Sequence, residues 1–179
     1  MRRAAARAAI LPRRPALRLR APEVEREQVF DDLLLGRTGG QVDDLVLRRG
    51  DGAIAYNLAV VVDDAAMGVD QVVRGDDLAP STPRQLLLQR LLGLPRPEYA
   101  HVPLVLGPSG ARLAKRDGAV TLGELAEVGV DAAAVRSLLA ESLGLAAPGE
   151  RVAMDALRGR FDPAALPRKP WVWGAERLG

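Results

Sequence analysis

The chain of 179 residues contains no cysteine, one histidine, two lysines and only 3% aromatic residues. Without cysteine it has neither a disulfide framework nor a thiolate metal site. A reducing compartment is compatible with that composition, and the cytoplasm is the expected location. Long hydrophobic runs are also missing. The longest, Ala53 to Val62, is ten residues interrupted by Asn57, about half of the ~20 needed to span a bilayer. No transmembrane helix and no membrane partner are expected. Serine is absent before Ser81, which argues against reading the arginine-rich start as an organellar transit peptide.

What is present is a globular composition, 48% hydrophobic, in a chain long enough for one well-buried core with a small appended lobe. The formal net charge of +2 hides an asymmetry. Residues 1–20 carry seven arginines and no acid, while the remainder holds more acids than bases. A basic arm of this kind suits phosphate contact, or is simply a disordered start. Residues 1–25 are therefore set apart as an Arg-rich arm outside the fold. Arginine supplies nearly every cation, so the two lysines, Lys115 and Lys169, draw notice as places where a compact ammonium has been kept.

From Phe30 to Gly36 and from Asp44 to Arg48 run short apolar stretches bounded by Gly39-Gly40 and Gly50-Asp51-Gly52, read as strands joined by turns. Ile54 to Val62, with its β-branched valines, reads as a strand or a strand plus short helix, and Val69 to Arg74 as another strand. Thr82-Pro83-Arg84-Gln85 predicts a helix start, running to about Leu92 and stopped by Gly93. Val102 to Leu106 then reads as a buried strand, giving a parallel strand–helix–strand crossover. After residue 120 the pattern turns helical: a capping box at Thr121 and Glu124, a helix from Ala132 to Leu143 capped by Asp131, a short helix from Met154 to Arg160, and an irregular tail after Pro163. The expected organisation is a partial α/β catalytic domain over 26–120 and a small helical region with tail over 121–179.

Three segments carry the chemistry. They are Ala55 to Asp64, Val73-Arg-Gly-Asp-Asp-Leu78 followed by Ser81-Thr-Pro-Arg-Gln85, and Ala100-His-Val-Pro103 leading to Arg112-Leu-Ala-Lys-Arg-Asp-Gly118. In this order and spacing they resemble the class I glutamyl-tRNA synthetase family, over about residues 30–145. The resemblance implies the C-terminal half of a Rossmann-type catalytic domain followed by a small helical region, with ATP and Mg²⁺ used to activate glutamate. Arg112, Leu113, Ala114, Lys115 and Arg116 match the family's KMSKS-type ATP-binding loop, with Lys115 at the catalytic second lysine. Arg112 in place of the first lysine keeps a cation, and Ala114 in place of the serine removes a hydroxyl. An ammonium on such a loop can follow the charge that builds on departing pyrophosphate. The competing reading is a solvated basic turn.

Tyr56 and Arg74 match the family's glutamate-binding residues. A core tyrosine bonded to backbone competes for Tyr56. Arg74 ends a strand, where open α/β sheets place ligands, and its guanidinium can grip a carboxylate through two parallel bonds; a structural pair with Asp76 or Asp77 is the alternative. His101 is read as structural, because adenylate formation needs no proton shuttle. The pairs Asp31-Asp32, Asp43-Asp44, Asp63-Asp64 and Asp76-Asp77 are read as turn and cap residues, so no metal ligand is assigned. The absence of cysteine excludes the family's zinc module.

Residues 1–29 hold nothing like the family's HIGH-type motif, so the chain is expected to be N-terminally truncated within its gene. The 61 residues after Gly118 are short for an anticodon-binding domain and favour the glutamyl-Q branch. That branch transfers glutamate to the queuosine base of tRNA(Asp), here expected as a monomer. The alternatives are a glutamate–tRNA ligase fragment and a non-catalytic tRNA-binding or structural remnant with an unpaired sheet edge.

Overall fold

The computed structural model describes residues 15–112 and 121–173, and these divide into two compact units. Among the described residues the first holds 15–32, 37–72 and 78–99, and the second holds 33–36, 73–77, 100–112 and 121–173. No helix among them is long and apolar enough to cross a membrane.

In the first unit β1 (Leu17–Leu19), β2 (Glu27–Asp32), β3 (Gly36–Gln41) and β4 (Leu45–Arg48) precede α1 (Tyr56–Met67). β1 pairs antiparallel with β4. β5 (Gln71–Gly75), α2 (Thr82–Leu92) and β6 (Glu98–Val102) follow, and a four-stranded sheet has the order β3-β2-β6-β5. β2 runs parallel to β6, with Asp32 opposite Tyr99. β5 and β6 begin in the first unit and end in the second. Among the described residues β5 forms an edge of the sheet, and its Val73 is 61% exposed.

Gly39 and Gly40 lie inside β3 rather than at a turn. A Cβ on Gly39 would sit 2.3 Å from the Gln28 carbonyl oxygen, so glycine is what lets the two strands close up. The turn instead falls at Leu33–Leu35 and Gly36, whose φ of 74° is open to glycine. Around Gly52 the turn lies where the sequence puts it: the Gly52 amide donates to the Arg49 carbonyl, and the Ala53 amide to the Asp51 carboxylate.

The stretch from Ile54 to Val62 is not a strand; it supplies most of α1. β-branched valines favour strands only weakly, and burial decides. Val61 is buried, with Leu58 and Val60 packed around it. Gly68, at φ 70°, ends the helix with its amide on the Ala65 and Asp64 carbonyls. α2 ends at Leu92 as the sequence predicts, stopped by Gly93 at φ 65°. Its start differs by one residue, since Ser81 holds the N-cap position and Thr82 and Pro83 are buried inside the first turn.

Among the described residues, two hydrophobic clusters form the core of the first unit. Ala21, Val42, Leu45, Val61, Leu87 and Leu88 form one, and Phe30, Leu86 and Tyr99 form the other, with Phe30 and Tyr99 edge to face at 5.7 Å. Two buried amides on α2 donate to side chains, Gln85 to Asn57 at 3.1 Å and Gln89 to the Tyr99 hydroxyl at 3.0 Å, while Gln89 Oε1 is buried without a hydrogen-bond partner among the described residues. Satisfying such groups avoids roughly 1–3 kcal/mol of desolvation cost each. Asp44 accepts from the Ala21 amide at 3.1 Å, and Asp43 meets Arg84 at 3.8 Å.

In the second unit β7 (Val105–Leu106) is followed by α3 (Leu122–Glu127), α4 (Ala132–Ser142), α5 (Met154–Arg160) and β8 (Trp171–Val172). The apolar run 102–106 is thus divided: β6 stops at Val102, because Pro103 lacks the N–H that the ladder requires. β7 then pairs parallel with β8, so the tail is not wholly irregular. The capping box at Thr121 and Glu124 is present in full, and Asp131 caps α4 on the Ala134 amide at 2.7 Å. Both carboxylates are held below their ordinary pKa, Glu124 by the Thr121 amide and hydroxyl, and Asp131 by the Ala134 amide and then by Arg151. Val152 is buried, its amide donating to the Ser137 hydroxyl and its carbonyl accepting from Arg136.

Candidate functional site

In the segment Val73–Asp77 of the second unit, Arg74 and Asp77 each meet a residue of the stretch 100–112. Arg74 is the penultimate residue of β5. Its Nε donates to Nε2 of His101, the penultimate residue of β6, at 3.0 Å. His101 is fully buried, while Arg74 is half-buried. A hydrogen bond to a charged group is worth roughly 1.5–3 kcal/mol net, enough to fix a long side chain that otherwise samples many rotamers.

Three residues on, Asp77 lies 2.7 Å from Arg112. The approach is set by a hairpin: the Gly107 amide donates to the Ala111 carbonyl, the Gly110 amide donates to the Gly107 carbonyl, and Leu106 bridges Arg112. Gly110, at φ 75°, makes that turn. Between the two charged residues, Gly75 is tightly enclosed, since a Cβ there would lie 2.6 Å from Asp77 Oδ1 and 2.8 Å from Leu104 Cδ2.

Tyr56 belongs to the first unit. It is the first residue of α1 and 58% exposed, so it is not a core tyrosine. Leu113, Ala114, Lys115 and Arg116 lie outside the described residues. The second unit therefore brings Arg74 together with His101, and Arg112 with Asp77. The partnership of His101 escapes the sequence because it joins residues 27 positions apart. The one available sign was that the chain's single histidine stands within a buried strand.

Of the aspartate pairs, Asp31-Asp32 lies on β2 and divides as alternation on a strand predicts, Asp32 buried and Asp31 exposed, whereas Asp63-Asp64 lies within α1 rather than at a turn or cap. No group of three or more histidine or carboxylate side chains that could hold a metal occurs among the described residues. On these residues no protein ligand for Mg²⁺ is assigned.

The comparisons with known proteins bear on what this arrangement belongs to. Residues 4–176 match the family model for class I tRNA synthetases (E and Q), catalytic domain. The glutamyl-Q tRNA(Asp) synthetase of Nocardia farcinica is 62% identical over 157 residues, covering 88% of this chain and 49% of that protein. The glutamate–tRNA ligase of Oleidesulfovibrio alaskensis is 41% identical over 165 residues, covering 90% of this chain and 35% of that protein. Among solved structures, a glutamate tRNA ligase from Elizabethkingia meningosepticum in complex with its amino acid superposes with a TM-score of 0.70 at 26% identity, covering 86% of this chain and 35% of that one. The chain spans about half the length of the glutamyl-Q relatives it matches. An α/β fold carrying this arginine-bearing strand end and this basic hairpin, matched along nearly its whole length, places the chain in the class I glutamyl and glutaminyl tRNA synthetase family, within the catalytic domain.

Proposed function

We propose that this chain supplies part of the active site of an ATP-dependent glutamyl ligase of the glutamyl-Q type. In the first step a carboxylate oxygen of glutamate attacks the α-phosphorus of ATP; the bond to the β-phosphate breaks and pyrophosphate leaves. In the second, a hydroxyl of the queuosine base of tRNA(Asp) attacks the carbonyl carbon of the mixed anhydride, loses its proton, and AMP leaves. Magnesium is taken as part of the nucleotide substrate.

The observation that carries this reading is Arg74 at the carboxyl end of β5, where open α/β sheets bind ligands, with its guanidinium steadied on one side by His101. A fork held in that way is suited to a carboxylate. Tyr56, exposed at the start of α1, would contribute a hydroxyl to glutamate. Arg112, Leu113, Ala114, Lys115 and Arg116 would form the ATP-binding loop, with Lys115 stabilising the charge that develops on pyrophosphate. Identity of 62% to a glutamyl-Q relative, against 41% to a glutamate–tRNA ligase, favours the glutamyl-Q acceptor.

Glutamate-dependent exchange of pyrophosphate into ATP by the purified chain tests the first step. Exchange above background that requires glutamate is expected, and none would overturn the claim of activity for this chain. Transfer of labelled glutamate to queuosine-containing tRNA(Asp), but not to tRNA(Glu), tests the second step. The opposite preference would support the glutamate–tRNA ligase reading.

A further inference from the structure

β1 and β4 form a two-stranded ribbon within the first unit, and its two faces differ in kind. Leu19 lies opposite Leu45, and both pack into the hydrophobic core together with Leu47. Arg18 and Arg20 alternate with Leu19, so on extended backbone they point away from that core. Both are exposed, and so is Arg48, which lies opposite Leu17 past a shift in the register.

Pairing sets these three arginines apart. Arg26, Arg37, Arg49, Arg84 and Arg90 of the same unit each meet a carboxylate. Arg18, Arg20 and Arg48 meet none among the described residues. The acids just before β4 are already engaged, Asp43 by Arg84 and Asp44 by Arg26 and the Ala21 amide. The ribbon therefore presents positive charge that nothing beside it neutralises. The sequence leading into β1 has the same sign, since residues 1–14 hold five arginines and no acid.

Planar guanidinium forks match phosphate oxygens. The strands of the ribbon carry no aromatic side chain, so they lack the platforms on which unpaired bases stack. The ribbon also adjoins the start of α1: the Ala55 amide donates to the Leu47 carbonyl at 2.9 Å and Arg48 bridges Ile54, two residues before Tyr56. We propose that the face formed by Arg18, Arg20 and Arg48 docks the phosphate backbone of a paired stem of the tRNA substrate. Such contacts position the RNA without reading its bases. This rests on the reading of the chain as part of a tRNA-dependent ligase.

Fluorescence anisotropy of labelled tRNA(Asp) with the 179-residue protein, across a range of salt concentrations, tests the surface. The combined variant Arg18→Gln, Arg20→Gln and Arg48→Gln is expected to bind about tenfold more weakly or worse. Its slope of log affinity against log salt should be shallower by about 2–3, the scale of three lost phosphate contacts. Thermal denaturation should show its fold unchanged. A control of equal charge, Arg37→Gln with Arg96→Gln and Arg158→Gln, is expected to keep most of the affinity and slope. Equal loss in both variants makes the effect one of net charge and overturns the proposal, as does a ribbon variant that binds like the unaltered protein. A hairpin RNA should displace labelled tRNA better than polyuridylate of the same length; the reverse order overturns the docking of a paired stem.

Glutamate-dependent pyrophosphate exchange involves no tRNA and reports the activation site separately. Exchange with tRNA binding indifferent to the ribbon sinks the surface alone. Ribbon-dependent binding without exchange leaves the surface standing and overturns the activation reading. A protein that binds no tRNA overturns the surface and the proposed transfer step together.

Discussion

Arg112 and Asp77 lie 2.7 Å apart, joining the first residue of the proposed ATP-binding loop to the turn that follows Arg74. The guanidinium is 70% exposed and the carboxylate 24%, so solvent screening holds the pair's contribution to stability to about 1 kcal/mol or less. Its value lies in where it holds the root of the loop. Asp77→Asn is expected to leave the melting temperature nearly unchanged while raising the KM for ATP in pyrophosphate exchange. A large fall in melting temperature with unaltered KM would make the pair a structural tie alone.

Gly75→Ala addresses the same region by shape. The added methyl would stand 2.6 Å from the Asp77 carboxylate and 2.8 Å from Leu104. Overpacking of this kind costs about 1–3 kcal/mol, and relief requires Asp77 to turn away from Arg112. Chemical denaturation should report the loss of stability, and KM for ATP should shift in the same sense as in Asp77→Asn.

Lys115→Ala removes an ammonium from the loop without altering any contact described above. Exchange activity is expected to fall by about two orders of magnitude, the scale of losing one charge-stabilising donor in a transition state, while thermal stability holds. Loss of folding instead would support the solvated structural turn.

Acid should unfold the helical part of the second unit. Glu124, Asp131 and Glu150 are all held below their ordinary pKa, Glu124 by the Thr121 amide and hydroxyl, Asp131 by the Ala134 amide and then Arg151, and Glu150 by Arg160 and then the Ala147 amide. For carboxylates lowered in the folded state, the stabilisation is present above the ordinary pKa and lost as pH falls through the lowered value. Amide exchange over residues 121–160, followed from about pH 7 to about pH 2, should show protection lost in that acid window. Asp131→Ala should be less stable at neutral pH and lose part of this acid dependence. An unchanged acid dependence in the variant would rule out the cap as a source.

Punctuation was the legible part of this sequence. Pro83 and Gly93 bracket α2, Thr121 with Glu124 opens α3, and Asp131 opens α4, because caps and stops act within a few residues. Arg74 could be put at a strand end on the same local grounds. Illegible were features decided by distant partners. Val60, Val61 and Val62 favour a strand locally, but the packing of Val60 and Val61 with Leu87 and Leu88 keeps the segment helical. Gly39-Gly40 reads as a turn until Gln28 is brought against it. His101 and Arg74, like Asp77 and Arg112, become pairs only when separate segments are folded together.

Pro103 divides one apolar run between two ladders, and that division has a mechanical result. β6 fixes His101, while β7, three residues later, is splinted by Trp171 and Val172 through the Trp171 amide on the Leu104 carbonyl and the Trp173 amide on the Leu106 carbonyl. The hairpin that carries Arg112 thus springs from a stem braced by Trp171 and Trp173, far downstream in the chain. Shortening the protein before Trp171 would unbrace that stem while leaving in place every residue of the proposed site.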